Sequence, residues 1–203
     1  MNTVALIILI ITGGLSMLCF SNVEMMQKLQ MWPYRIKRNK EEIYRMLTSG
    51  FIHADTMHLA INMITYYFFA DILISVIGEK QFVILYLSGI IIANIPSLIK
   101  HADNPYRAAI GASGGVASLV FATIYLAPWQ MIYLFGIIPL PSIIFAVLYI
   151  VYSYKMKDDQ KSNIGHEAHL WGAIYGLVFM AAVVDPTHGL NFIENIKDIP
   201  YFK

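Results

Sequence analysis

From Ala108 to Tyr154 the chain carries no charged residue. One crossing of the roughly 30 Å hydrocarbon layer needs only about 20 apolar residues. The uncharged run is therefore long enough for two crossings, and the turn-forming Ala127-Pro128-Trp129-Gln130 divides it into two. Four further apolar segments can be read the same way: Asn2–Asn22, His58–Gly78, Gln81–Ile99 and Gly165–Val184. Of the 203 residues 58% are hydrophobic and 13% charged, about half the charge of an average soluble domain. The expected fold is all-α and polytopic, six transmembrane helices forming one domain over residues 1–203, with the lipid bilayer as solvent.

Several function classes are excluded at this stage. A net charge of +1 offers no basic surplus for nucleic acid and no acidic surplus for disorder. The single cysteine, Cys19, cannot form an intrachain disulfide or a thiolate metal site, and is read as packing. No Lys or Arg precedes Lys28, so the first span is expected to be a retained helix rather than a cleaved signal. Pro139 and Pro141 predict a kink in the fifth span. Between the first two spans, Val23–Phe51 mixes Met, Trp and Tyr with Lys and Arg, as a segment lying in the membrane interface would. The tail from Asp185 to Lys203 is polar and carries no motif.

Polar groups are costly in lipid, so those within the spans are where chemistry is sought. The second span opens on His53, His58 and Asn62. The fourth opens on Gly111-Ala112-Ser113-Gly114-Gly115. The sixth opens on Gly165-His166-Glu167-Ala168-His169 and continues to Gly172 and Gly176. All three spans start from odd-numbered loops, on one side of the membrane, so Ser113, His169, His58 and Asn62 share one half of the bilayer. Glycines on the fourth and sixth spans let their backbones approach closely. A serine hydroxyl beside an imidazole is the minimum for an activated nucleophile. His58 and Asn62, one helical turn apart, share a face and can donate to a developing oxyanion, as can the Ser113 backbone N–H. No carboxylate stands where it would orient His169, which favours a dyad over a triad. Asp71 is expected to be a buried, protonated or hydrogen-bonded structural acid, and His53 and His166 interface, gating or structural residues.

The pattern resembles the rhomboid intramembrane serine proteases over nearly the whole chain. The family's Gly-x-Ser-Gly stands as Gly111–Gly114, placing Ser113 on the nucleophile. Its Ala-His-x-x-Gly-x-x-x-Gly runs from Ala168 to Gly176, placing His169 on the base. Its His-x-x-x-Asn stands as His58–Asn62, the side-chain donors of the oxyanion hole, and its aromatic-Arg pair as Tyr44-Arg45. The resemblance implies a serine endopeptidase with a six-helix core of the bacterial type, in a bacterial cytoplasmic (inner) membrane. It would cut the transmembrane segments of membrane-protein substrates within a water-filled cavity, without metal or cofactor. Two departures stand out. Ala117 replaces an aromatic that in many members packs on the catalytic imidazole, which leaves His169 less fixed. Ile74 stands where many members carry Glu, with Asp71 nearby.

Rival chemistries fail on spacing. A zinc site needs His-Glu-x-x-His, and His166-Glu167-Ala168-His169 is one residue short. An aspartyl site needs paired carboxylates in Gly-x-Gly-Asp, which neither Asp71 nor Asp185 has. A transporter would favour inverted repeats and broken mid-membrane helices. The remaining alternative is a catalytically inactive rhomboid-like protein that binds membrane substrates, although such relatives commonly lack the Ser or His. The odd-numbered loops hold 11 of the 14 basic residues. A positive-inside count would place that side in the cytoplasm. The resemblance implies the opposite, with both termini cytoplasmic, and that orientation is the one expected here.

Overall fold

A computed structural model describes residues 1–134, 136–157, 165–187 and 189–200. Lys161, counted above in the fifth loop, and Lys203 of the tail lie outside the described residues. The chain is mostly helical. Among the described residues three helices are long and apolar enough to cross a membrane: Thr3–Ser21, Thr56–Lys100 and His166–Val184. Two shorter apolar helices accompany them, Ser113–Leu126 and Ser142–Met156.

Helix α1 (Thr3–Ser21) is closed by asparagines at both ends, the Asn2 side chain accepting from the Val4 amide at its start. The first loop then folds into three short helices, α2 (Val23–Leu29), α3 (Pro33–Arg38) and α4 (Arg45–Thr48), linked by 3-10 turns. Its organiser is Arg45, which is almost fully buried. Arg45 pairs with Glu42 at 2.5 Å and donates to the carbonyls of Gln27 and Gln30.

Helix α5 (Thr56–Lys100) runs through the expected second and third spans. It is two helices in space. Gly78 breaks it with φ 77° and ψ 162°, a backbone only glycine adopts readily. The two halves fold back on each other, so Tyr66 and Tyr86 pack ring to ring at 5.1 Å. In a straight helix those residues would stand about 30 Å apart. Tyr66, Phe82 and Tyr86 join Leu119, Tyr125 and Phe179 in the principal core.

Helix α6 (Ser113–Leu126) ends where the expected turn begins. A two-stranded antiparallel hairpin follows, β1 (Met131–Leu134) with β2 (Ile138–Pro141), before α7 (Ser142–Met156). The expected proline kink is not there. Pro139 and Pro141 lie in β2, where their missing N–H groups cost less than inside a helix, and α7 starts after them. Helix α8 (His166–Phe179) closes with a π-helical turn, Met180–Val184. The tail is more structured than its composition suggests: α9 (Leu190–Lys197) stacks Phe192 on Tyr125 of α6 at 4.5 Å.

Candidate active site

The turn entering α6 is built by three other parts of the chain. Met31 of the first loop forms an antiparallel bridge with Ala109, and the Gly111 amide donates to the Ser49 carbonyl. The Ala112 amide donates to Nε2 of His53, which is fully buried. An Nε2 that accepts leaves the proton of a neutral ring on Nδ1. That proton is directed at the Ser16 hydroxyl of α1, 2.9 Å away, and the hydroxyl in turn donates to the Phe51 carbonyl. His53 thus ties α1 to the residue preceding Ser113. The sequence marks it only as a polar residue near a helix start, because its partner lies 59 positions away.

A side chain at Gly111 is disfavoured on two counts. Its φ is 124°, and a Cβ there would stand 2.6 Å from Cε1 of the His58 ring. The next residue but one opens α6 without a side-chain cap, so the first-turn amides, that of Ser113 included, have no intrahelical partner.

Helices α6 and α8 meet backbone to backbone, as the glycine spacing predicts. A Cβ on Gly172 would collide with the Gly114 carbonyl, and one on Gly176 with that of Ser118. This contact carries His169 alongside the start of α6. Helix α5 supplies the facing wall. Asp55 caps it by accepting from the His58 amide at 2.8 Å, and Asn62 donates one amide proton to the His58 carbonyl. The second amide proton of Asn62 remains for another acceptor.

These placements converge on one cavity of about 630 Å³, lined by Ser113, His169, His58 and Asn62 together. Its remaining wall is mostly apolar and includes Met57, Ile61, Val120 and Phe145. Among the described residues no hydrogen bond joins the Ser113 hydroxyl to the His169 ring; such contacts are commonly loose until substrate binds. The imidazole is held by rings instead. Tyr149 of α7 stacks on it at 6.1 Å and 25°, and His166 meets it edge-on at 6.0 Å. Tyr149 of α7 thus brings an aromatic ring beside the imidazole although position 117 is alanine, and in the sequence it is one more apolar position in an uncharged run. His166 is buried in this cluster, also against Tyr152. Asp71 is not a buried acid. Its side chain is 47% exposed and accepts from the Asn2 amide, in the stretch of α5 that approaches the Gly78 break, about 20 Å along the helix from His58. No group of metal-ligating side chains suited to an ion occurs among the described residues.

A model of the Rhomboid domain family matches residues 40–186, from the first loop to just past the π-helical turn that follows α8. The chain belongs to the rhomboid family. RHOMBOID-like protein 12, mitochondrial, of Arabidopsis thaliana is 29% identical over 156 residues, covering 70% of this chain and 46% of that protein. Presenilin-associated rhomboid-like protein, mitochondrial, of Mus musculus is 30% identical over 141 residues, covering 66% and 37%. Inactive rhomboid protein 1 of Drosophila melanogaster is 30% identical over 112 residues, 55% of this chain and 7% of that protein. The chain spans less than half the length of these curated relatives. Rhomboid proteins are generally intramembrane serine proteases, some members being inactive, and this one has the apolar helices of a membrane protein. The mitochondrial names of the Arabidopsis and mouse relatives give no support to a bacterial cytoplasmic membrane as its location.

Proposed function

We propose that this chain is an intramembrane serine endopeptidase that cuts transmembrane segments of membrane-protein substrates, with Ser113 as nucleophile and His169 as general base. The observation that carries the reading is the single cavity onto which Ser113, His169, His58 and Asn62 converge from three helices. Attack by the Ser113 oxygen on a substrate carbonyl transfers the hydroxyl proton to His169. The resulting oxyanion is held by the His58 ring, the free amide proton of Asn62 and the Ser113 backbone N–H, donors worth about 3 kcal/mol each. Collapse expels the amine, which takes the proton from His169. Water entering the cavity then hydrolyses the acyl-enzyme, and His169 again relays the proton. The same reading takes the two halves of α5 as separate crossings and counts α6 and α7 as spans, six in all.

The test compares wild type with Ser113→Ala and His169→Ala on a transmembrane substrate reconstituted in liposomes. Only wild type is expected to cleave, and only wild type and His169→Ala retain the hydroxyl that a fluorophosphonate labels. Equal cleavage by all three rejects the mechanism. Substrate capture without cleavage or Ser113 labelling would instead favour a non-catalytic, substrate-binding rhomboid.

A further inference from the structure

We infer that Tyr149 is the positioning residue for His169, and that this chain holds its general base from α7 rather than from the nucleophile's own helix. The inference rests on the serine-protease reading above and extends it to a residue outside the dyad. Among the described residues the His169 ring has ring partners and no hydrogen bond, so its orientation depends on packing. Tyr149 lies beside the imidazole in an offset, near-parallel arrangement, 6.1 Å between centroids and 25° between planes, while His166 meets it with the planes 79° apart. An offset ring contact of this kind leaves the nitrogens at the ring's edge free to point at Ser113, and opposes the tilt that would carry them away. Position 117, one turn beyond Ser113 on the same face of α6, lines the cavity and is too small to do this.

Tyr149 is itself braced. Phe121 of α6 packs against it at 5.4 Å and Phe145, one turn back on α7, at 5.5 Å. The helix that carries it is held less firmly, since only Ser142, Ala146 and Ser153 of α7 are buried. The orientation of the base is thereby coupled to the seating of α7, which also forms one wall of the cavity through Phe145 and Tyr149.

The discriminating variant is Tyr149→Leu, which keeps apolar volume against Phe121 and Phe145 but presents no flat face. With the full chain in liposomes, kcat is expected to fall about 10- to 100-fold, while KM and the melting temperature stay near wild type. Tyr149→Phe restores the rate, because the ring face and not the hydroxyl does the work. Moving the ring, in Tyr149→Leu combined with Ala117→Tyr, recovers part of the lost kcat. A Tyr149→Leu enzyme with wild-type kcat, or a Tyr149→Phe enzyme as slow as the Leu variant, overturns the inference and leaves the dyad standing. A wild-type chain that neither cleaves nor labels at Ser113 takes both down.

Discussion

Gly111 and Asp185 show how single residues carry the two ends of this molecule. Gly111 combines a φ of 124° with a His58 ring that occupies the place a Cβ would take. A methyl group there costs about 1–3 kcal/mol in backbone strain alone and pushes His58 out of place. Gly111→Ala is therefore expected to slow cleavage by about 10-fold or more. Gly13→Ala, whose methyl meets nothing within 4 Å, should match wild type, and equal rates for both variants would remove the constraint argued for Gly111. At the far end, Asp185 accepts from the hydroxyls of Thr187 and Tyr125 and from the Thr187 and Gly189 amides. The Thr187 hydroxyl is the largest influence, followed by that of Tyr125, and the carboxyl is pulled down from 3.8 to about 2. A depressed carboxyl stabilises the folded chain above its unfolded value and loses that contribution as pH falls towards the folded one. Melting curves should thus show wild type losing its advantage over Asp185→Asn between about pH 4 and pH 2. A difference that is constant across that window would contradict the assignment.

The same residues take on a different meaning once they are grouped into elements. The α6–α8 contact is the element-level basis of the site, because it sets Ser113 and His169 at one depth. Gly172→Ala would drive a methyl into the Gly114 backbone, which has no rotamer with which to yield. The expected cost is about 1–3 kcal/mol, in the range of overpacked cores, seen as a lower melting temperature in detergent with a larger relative loss of cleavage. Unchanged melting and activity would mean that the two helices need not touch. This contact was legible beforehand, since glycines repeated at helical spacing on two uncharged helices leave few other uses. So were the ends of α1, where asparagines cap an uncharged run. Others were not. Pro139 and Pro141 predict a kink under a local rule, but the turn before them lengthens into a hairpin and absorbs both. Asp71 is expected to be buried because its neighbours are apolar, whereas the start of α1 reaches it and the side chain stays half-exposed. Tyr149 and His53 act through contacts across the bundle, and no periodicity within one segment can register such a partner.

Across the whole molecule, two sets of contacts define two opposite ends. At the cavity end, the first and third loops are joined by the Met31–Ala109 bridge, the Trp32 indole donating to the Pro105 carbonyl, and the Lys37–Asp103 ion pair. At the other end, Asn2 reaches Asp71 and Glu79 beside the Gly78 break, while the Trp129 indole donates to Asn195 and Ile196 of the tail. Helices that run between two such ends alternate in direction, so the side of each loop follows from its order in the chain. The charge count pulls against the orientation adopted here, because the odd-numbered loops read from the sequence hold 11 of the 14 basic residues. One of them, Arg45, is buried inside the protein and so is not a free charge for the membrane to read. Reporters inserted after Lys80 and after Lys157 are expected to signal from opposite compartments, the first cytoplasmic and the second not. A third after Arg38 should agree with the one after Lys157. If the Lys80 and Lys157 reporters agree, the six-crossing arrangement fails, because the second half of α5, α6 and α7 would then not make three crossings between them. If they disagree in the reverse sense, the crossings stand but the cavity faces the cytoplasm, and substrates would have to be cut from that side.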